Sequence, residues 1–81
     1  MTRKPAAPKM ERISPPDDAA FMRFVDTHKA GPGGPKPRHM AGTTDWPTAD
    51  GEVFAMKQTV PGRGTRYFVS SNFLQSWLRS V

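Results

Sequence analysis

The chain has 81 residues, of which 36% are hydrophobic and none is cysteine, and its net charge is +5. This length allows one domain with a small core, and the lack of cysteine excludes disulfides and cysteine-based zinc sites. No apolar run approaches the ~20 residues of a membrane span, and the N-terminus has no signal-peptide core, so we expect a cytoplasmic protein that makes no membrane contact.

Positive charge is concentrated at the two ends of the sequence. Residues 1–12 hold four cations and one acid, residues 13–51 four cations and five acids, and residues 52–81 four cations and one acid. Such an uneven distribution favours an anionic partner, either nucleic acid or an acidic protein surface. An ordinary basic surface with no partner is the alternative.

Residues 1–13 are predicted to be a disordered basic arm. Arg3, Lys4 and Lys9 stand among prolines and alanines, with little apolar surface to bury. These three cations are candidate phosphate contacts, although an arm of this kind can also serve solubility alone. We assign residues 14–81 to a single small α+β domain.

A helix is predicted from Ser14 onward. A serine cap, proline at the first helical position and the acidic Asp17 three residues after the cap form a typical helix start. Phe21, Phe24, Val25 and His28 then recur at helical spacing and predict one apolar stripe. Gly31 and Pro32 predict the end of this helix.

Residues 31–51 are predicted to be a long irregular loop, because proline and glycine interrupt every periodic pattern there. Lys36, Arg38 and His39 make the loop basic. Trp46 is its large apolar residue, and we expect Trp46 to fold onto the core; the alternative is an exposed contact. Together these four residues are the candidate partner-binding site.

A β-hairpin is predicted next, with strands at Val53 to Val60 and Thr65 to Ser70 joined by Pro-Gly-Arg-Gly. Apolar residues occupy both faces of these strands, since Tyr67 and Val69 lie opposite Phe68 on the second strand, and we expect Phe54, Tyr67 and Phe68 to supply the fold. One face can take the first helix, and the other can take the C-terminal helix or a partner.

The C-terminal residues predict a second helix that packs on the hairpin. Apolar residues recur there at helical spacing: Phe73, Leu74, Trp77, Leu78 and Val81. A helix of about ten residues does not persist alone in water, so its stability must come from packing.

No catalytic site is visible. The two histidines, His28 and His39, show neither metal-ligand spacing nor the order of a catalytic triad. We therefore predict no enzyme activity, no cofactor and no metal.

The hairpin carries the strongest binding signal. Lys57, Arg63 and Arg66 surround a tip whose glycines allow close approach to a phosphate backbone. The alternative is that these charges protect the hairpin from pairing with other chains.

The residues Gly62-Arg63-Gly64, Tyr67, Val69, Ser71, Leu74, Trp77 and Leu78 resemble the wing and last helix of excisionase-type, MerR-like winged-helix DNA-binding domains. The resemblance covers about a quarter of the chain. It implies that Arg63 and Arg66 contact the DNA backbone or minor groove. Such domains place a recognition helix before the wing, and the Pro/Gly-rich interval here predicts none.

The sequence thus predicts an α+β protein with a basic arm, a helix, a long Pro/Gly loop, a β-hairpin and a C-terminal helix. The expected function is nucleic-acid binding, with duplex DNA as the expected form, in an accessory or regulatory role. The alternative is a small adaptor or inhibitor, of the kind that phages and mobile elements encode, that binds a host protein.

Overall fold

The computed structural model describes residues 9–80. They form five strands and two helices, with one turn of 3₁₀ helix at Ser71–Phe73: β1 (Met10–Ile13), α1 (Asp18–His28), β2 (Arg38–Met40), β3 (Thr43–Pro47), β4 (Val53–Val60), β5 (Gly64–Ser70) and α2 (Leu74–Ser80). The strands make one antiparallel sheet in the order β1-β5-β4-β3-β2. The mixed α+β class is confirmed, whereas the predicted arrangement is not.

Strand β1 corrects the predicted boundary of the arm. Residues 10–13 were expected to be disordered, but they form an edge strand in which Met10 pairs with Ser70 and Ile13 with Tyr67. The pairing gives this segment backbone partners, and Ile13 is buried in the core. Residues 1–8 of the arm lie outside the described residues.

Strands β2 and β3 show that the predicted irregular loop over residues 31–51 was wrong for residues 38–47, whereas residues 31–37 and 48–51 lack regular structure. They are joined by the two-residue turn Ala41-Gly42, in which both residues have positive φ (46° and 83°). Positive φ at both positions matches the right-handed twist of paired strands. Strand β3 then pairs with β4, so the irregular Pro/Gly stretch shrinks to residues 29–37.

Helix α1 begins later than predicted. Its cap is Asp17, whose Oδ1 accepts a hydrogen bond from the Ala20 amide at 2.7 Å, and not Ser14. A residue that precedes proline avoids the helical conformation, so Ser14 and Pro15 are both held out of the helix. The predicted apolar stripe is confirmed, since Phe21, Phe24 and Val25 are buried.

Both helices pack on the same face of the sheet. The ring centroids of Phe21 in α1 and Trp46 in β3 are 5.7 Å apart, and those of Phe24 in α1 and Trp77 in α2 are 5.5 Å apart. Trp46 is only 8% exposed, which confirms its expected place in the core and removes it as an exposed partner contact.

Strand β4 contributes two consecutive residues to this core. The register shifts between Trp46 and Pro47, which pair with Ala55 and Val53. The intervening Phe54 has no partner in β3, and such a bulge lets Phe54 and Ala55 both turn inward.

Leu78 corrects the predicted core face of the second helix. It is 53% exposed, whereas Trp77 is 3% exposed and packs edge-on against Phe24. Leu78 lies about 100° further around the helix than Trp77, so the two side chains cannot both face the core directly. Val81 lies outside the described residues.

Candidate functional site

The predicted basic hairpin does not bring its three cations together. Paired residues share a face of a sheet and successive residues alternate, so Lys57 and Tyr67, which pair with each other, point toward the helices while Arg66 points away. Arg63 lies in the exposed turn between β4 and β5, where its amide donates to the Val60 carbonyl at 2.9 Å. The three cations therefore lie apart: Lys57 on the helix side, Arg66 on the opposite face and Arg63 at the tip of the hairpin.

Lys57 is engaged in an internal contact. Its Nζ lies 2.6 Å from Oδ1 of Asp18, and the Tyr67 hydroxyl donates to the same oxygen at 2.9 Å. The hydrogen bonds from Lys57 and Tyr67 hold the pKa of Asp18 below its ordinary value. Burial, together with the hydrogen bond to Asp18, raises the pKa of Tyr67. Lys57 thus stabilises the packing of α1 against the sheet.

The remaining predicted residues are scattered. Lys9 is exposed, and its carbonyl accepts from the Ser71 amide at 2.7 Å, which ties the end of the arm to the start of the 3₁₀ turn. Arg3 and Lys4 lie outside the described residues. Lys36 is exposed in the 29–37 connection.

The predicted partner-binding residues of β2 face opposite sides of the sheet. Arg38 pairs with Asp45 and points away from the helices. His39 points to the helix side, where its Nδ1 lies 2.9 Å from Oγ1 of Thr44. Of these two residues, only Arg38 therefore lies on the same face of the sheet as Arg66.

The face of the sheet opposite the helices, which we call the open face, carries the most coherent group of binding side chains. One row of cross-strand neighbours spans all five strands, from β1 through β5, β4 and β3 to β2: Arg12, Phe68, Met56, Asp45 and Arg38. The next row contains Arg66, Gln58, Thr43 and Met40. Strands are spaced 4.7–4.9 Å apart, so the backbones of Arg12 and Arg38 are about 19 Å apart.

The arginines of the open face make no ion pair among the described residues, although Arg38 lies across the ladder from Asp45. Within residues 9–80, Arg12, Arg38 and Arg66 make no ion pair, whereas the lysines Lys29 and Lys57 both do. Asp45 is the one acid that this face carries among the described residues. The open face therefore presents net positive charge to solvent.

Phe68 is exceptional among the aromatic residues. The other seven pack on the helix side, in ring contacts with one another or with His28. Phe68 belongs neither to those contacts nor to the helix-side core, and it is partly exposed between Arg12 and Met56. Its ring therefore stabilises the helix-side core little and is available for a ligand.

A groove of about 490 Å³ continues the open face toward the β2 edge. Its walls include Arg38, Thr43, Asp45 and Gln58. Oδ1 of Asp45 is buried and has no hydrogen-bond partner among residues 9–80. An unsatisfied buried acceptor is costly to stability.

Two residues of the open face were not predicted to bind a ligand. Arg12 was assigned to the arm, and Phe68 to the fold. The alternation of Arg66 and Phe68 against Tyr67 and Val69 was visible in the sequence. This alternation predicts two faces, but it does not show which face the helices cover, because that depends on how both helices pack against the sheet.

No protein family matches this chain, and no significant match was found among curated proteins or solved structures. The resemblance to winged-helix domains therefore stays a prediction. Neither helix formed by the described residues has the length and apolar character needed to cross a membrane. Over the same residues, no three acidic, histidine or cysteine side chains gather as metal ligands would.

Proposed function

We propose that this protein binds nucleic acid through the open face of its sheet. The observation that carries the proposal is the row Arg12, Phe68, Met56, Asp45 and Arg38, which has an arginine at each end, with Arg66 in the adjacent row. Arginine is suited to phosphate because its planar guanidinium makes paired hydrogen bonds and keeps its charge. Arg63, in the exposed turn at the end of β4, extends the same basic surface.

The distribution of acids supports the same orientation. Asp17, Asp18 and Asp26 lie on or beside α1, so the helix side faces solvent with mixed charge. The open face has three arginines against one aspartate. An anionic polymer is therefore attracted to the open face more strongly than to the helix side.

Salt-dependent binding tests this proposal. We expect the logarithm of the association constant to fall linearly with the logarithm of salt concentration, with a slope of about 0.7 to 0.9 per phosphate neutralised. Arg12→Ala and Arg66→Ala should each reduce this slope by about one unit. Fluorescence anisotropy with labelled oligonucleotides measures both quantities.

Two further variants provide matched controls. Arg23 of α1 and Arg79 of α2 are exposed on the helices, so Arg23→Ala and Arg79→Ala remove the same charge from the other side of the protein. Both variants should retain the wild-type slope. Equal losses in all four variants would show that net charge alone is responsible, and a wild-type protein without salt-dependent binding would refute the proposal.

The second candidate function is docking on another protein through strand β2. This strand is at the edge of the sheet, all three of its residues are exposed, and Met40 is 72% exposed. An edge strand offers unpaired backbone groups to which an extended peptide can add. His39→Pro would remove a backbone donor from this edge, and loss of a stoichiometric partner from nuclease-treated extract in that variant alone would support docking.

A further inference from the structure

Phe68 lies inside the positive surface, one strand from the β1 edge, rather than at its rim. Its cross-strand neighbours are Arg12 on one side and Met56 on the other, and Arg66 precedes it by two residues on the same face. Phe68 and Met56 therefore form an apolar and aromatic patch, with Arg12 and Arg66 next to Phe68. A ligand that fits must present flat apolar surface to this patch and negative charge to the arginines beside it.

A single-stranded nucleic acid meets both requirements. Its bases are free to leave the stack and lie on an aromatic ring, while its phosphates remain outside. A duplex meets only the second, because its bases are paired inside and phosphates line its outer surface. Against a duplex, Phe68 and Met56 would face phosphates and groove edges, which offer them no apolar partner.

The width of the face also disfavours a duplex. The major groove is about 12 Å wide and admits a helix or a two-stranded ribbon. The open face is five strands across, about 19 Å between the outer backbones, and too broad to enter this groove. Only the β4–β5 tip at Arg63 is narrow enough, and Phe68 lies five residues away from it along β5.

A second copy of this chain is a poorer occupant. Face-to-face packing of two open faces would bring six arginines together against two aspartates. Like charges brought out of water without partners are costly. Charge complementarity therefore selects an anion.

We infer that the open face takes single-stranded nucleic acid, DNA or RNA, with Phe68 stacking on a base and Arg12 and Arg66 on the phosphates to either side. This inference rests on the proposed function and names its ligand class. It replaces the duplex expected from the sequence by a single strand.

The test compares a short labelled oligonucleotide with the same oligonucleotide annealed to its complement, in deoxyribose and ribose forms. The variants are Phe68→Leu, which keeps apolar bulk but removes the ring, and Phe68→Tyr, which keeps the ring. Phe68 lies outside the helix-side core, so both variants should fold, and circular dichroism checks this.

We expect the wild type to bind the single strand more tightly than the duplex. Phe68→Leu should weaken single-strand binding about 5- to 150-fold, the range found when one base loses its aromatic partner. Its salt slope should not change, because no phosphate contact is lost, and Phe68→Tyr should bind as the wild type does.

The outcomes separate the two proposals. Salt-dependent binding in which the duplex is preferred, or in which Phe68→Leu has no effect, would overturn the single-strand inference and leave nucleic-acid binding intact. Absence of salt-dependent binding to any oligonucleotide would overturn both. A dimer in sedimentation that Phe68→Leu dissociates would show that a second copy occupies the face, and would also overturn the inference.

Discussion

Lys57 and Asp18 form an ion pair, with Nζ of the lysine 2.6 Å from Oδ1 of the aspartate. Asp18 is in the first turn of α1 and Lys57 is in the middle of β4, so the pair connects the start of the helix to the sheet. The Tyr67 hydroxyl bonds to the same oxygen and adds strand β5 to this junction. A cation that sequence analysis assigned to ligand binding is therefore part of the fold.

Asp18→Asn should destabilise the protein at neutral pH by about 0.2–1 kcal/mol, because the pair is partly exposed to solvent and screened by it. The pKa of Asp18 is lowered in the folded state by Lys57 and Tyr67. Its contribution is therefore present above the unfolded pKa, near 3.8, and is lost as the pH falls through the folded pKa. Urea denaturation over a pH series measures this.

The matched control is Asp26→Asn, which removes a carboxylate near the C-terminal end of α1, where Asp26 pairs with the C-cap Lys29 and both side chains are more exposed. We expect a smaller loss there. An Asp18→Asn penalty that persisted at pH values well below 3.8 would contradict an electrostatic origin.

Lys57→Ala should change nucleic-acid binding much less than Arg66→Ala. The two residues belong to successive pairs of the β4–β5 ladder, Lys57 with Tyr67 and Arg66 with Gln58, so Lys57 faces Asp18 and Arg66 faces the open side. Anisotropy titrations should give a salt slope close to wild type for Lys57→Ala and a reduced slope for Arg66→Ala. The reverse result would place the interface on the helix side.

Trp77→Ala should lower the free energy of unfolding by about 3–5 kcal/mol, because Trp77 is 3% exposed and packs on Phe24. Leu78→Ala is the control from the same turn of helix. Leu78 is 53% exposed, so its loss should cost within about 0.5 kcal/mol. Equal losses in thermal denaturation would show that α2 is rotated from its present orientation.

Gly42→Ala should destabilise the β2–β3 turn more than Gly51→Ala destabilises the turn before β4. Both glycines have positive φ, a conformation that costs an ordinary residue about 1–2 kcal/mol. A Cβ at Gly42 would in addition lie 2.7 Å from the Thr59 carbonyl oxygen. A Cβ at Gly51 would have no atom within 4 Å. Unfolding free energies of the two variants test this difference.

The same turn offers a stabilising change. Ala41 has φ of 46°, and glycine there would relieve the strain of a left-handed alanine. We expect Ala41→Gly to raise the unfolding free energy by up to about 1 kcal/mol. A loss of stability in this variant would mean that the Ala41 methyl group is needed for packing.

Sequence patterns revealed α1 and the order of the last two strands because their signals are local. Phe21, Phe24 and Val25 repeat with the helix period, and turn residues separate β4 from β5. Strands β1 and β2 carry no comparable signal. They have four and three residues, and they exist as strands through pairing with β5 and β3. The Ala41-Gly42 turn lacks the asparagine or aspartate that usually marks such a hairpin.

The open face was still harder to foresee. Arg12 and Phe68 are far apart in the sequence and become neighbours only through the β1–β5 register. Residue types alone placed Phe68 in the core, as they did for the other phenylalanines. Only the packing of both helices on one side shows that Phe68 faces away.

Strand β1 has a consequence for how the protein folds. β2, β3, β4 and β5 follow one another through short connections, so each pairing closes a small loop. The pairing of Arg12 with Phe68 instead encloses most of the chain and carries a larger loop-closure entropy. We expect β1 to join the sheet last and to leave it first, with amide exchange faster there than in β4. Its departure would also move Arg12 off the open face, so the ligand site would be complete only when the final strand has docked.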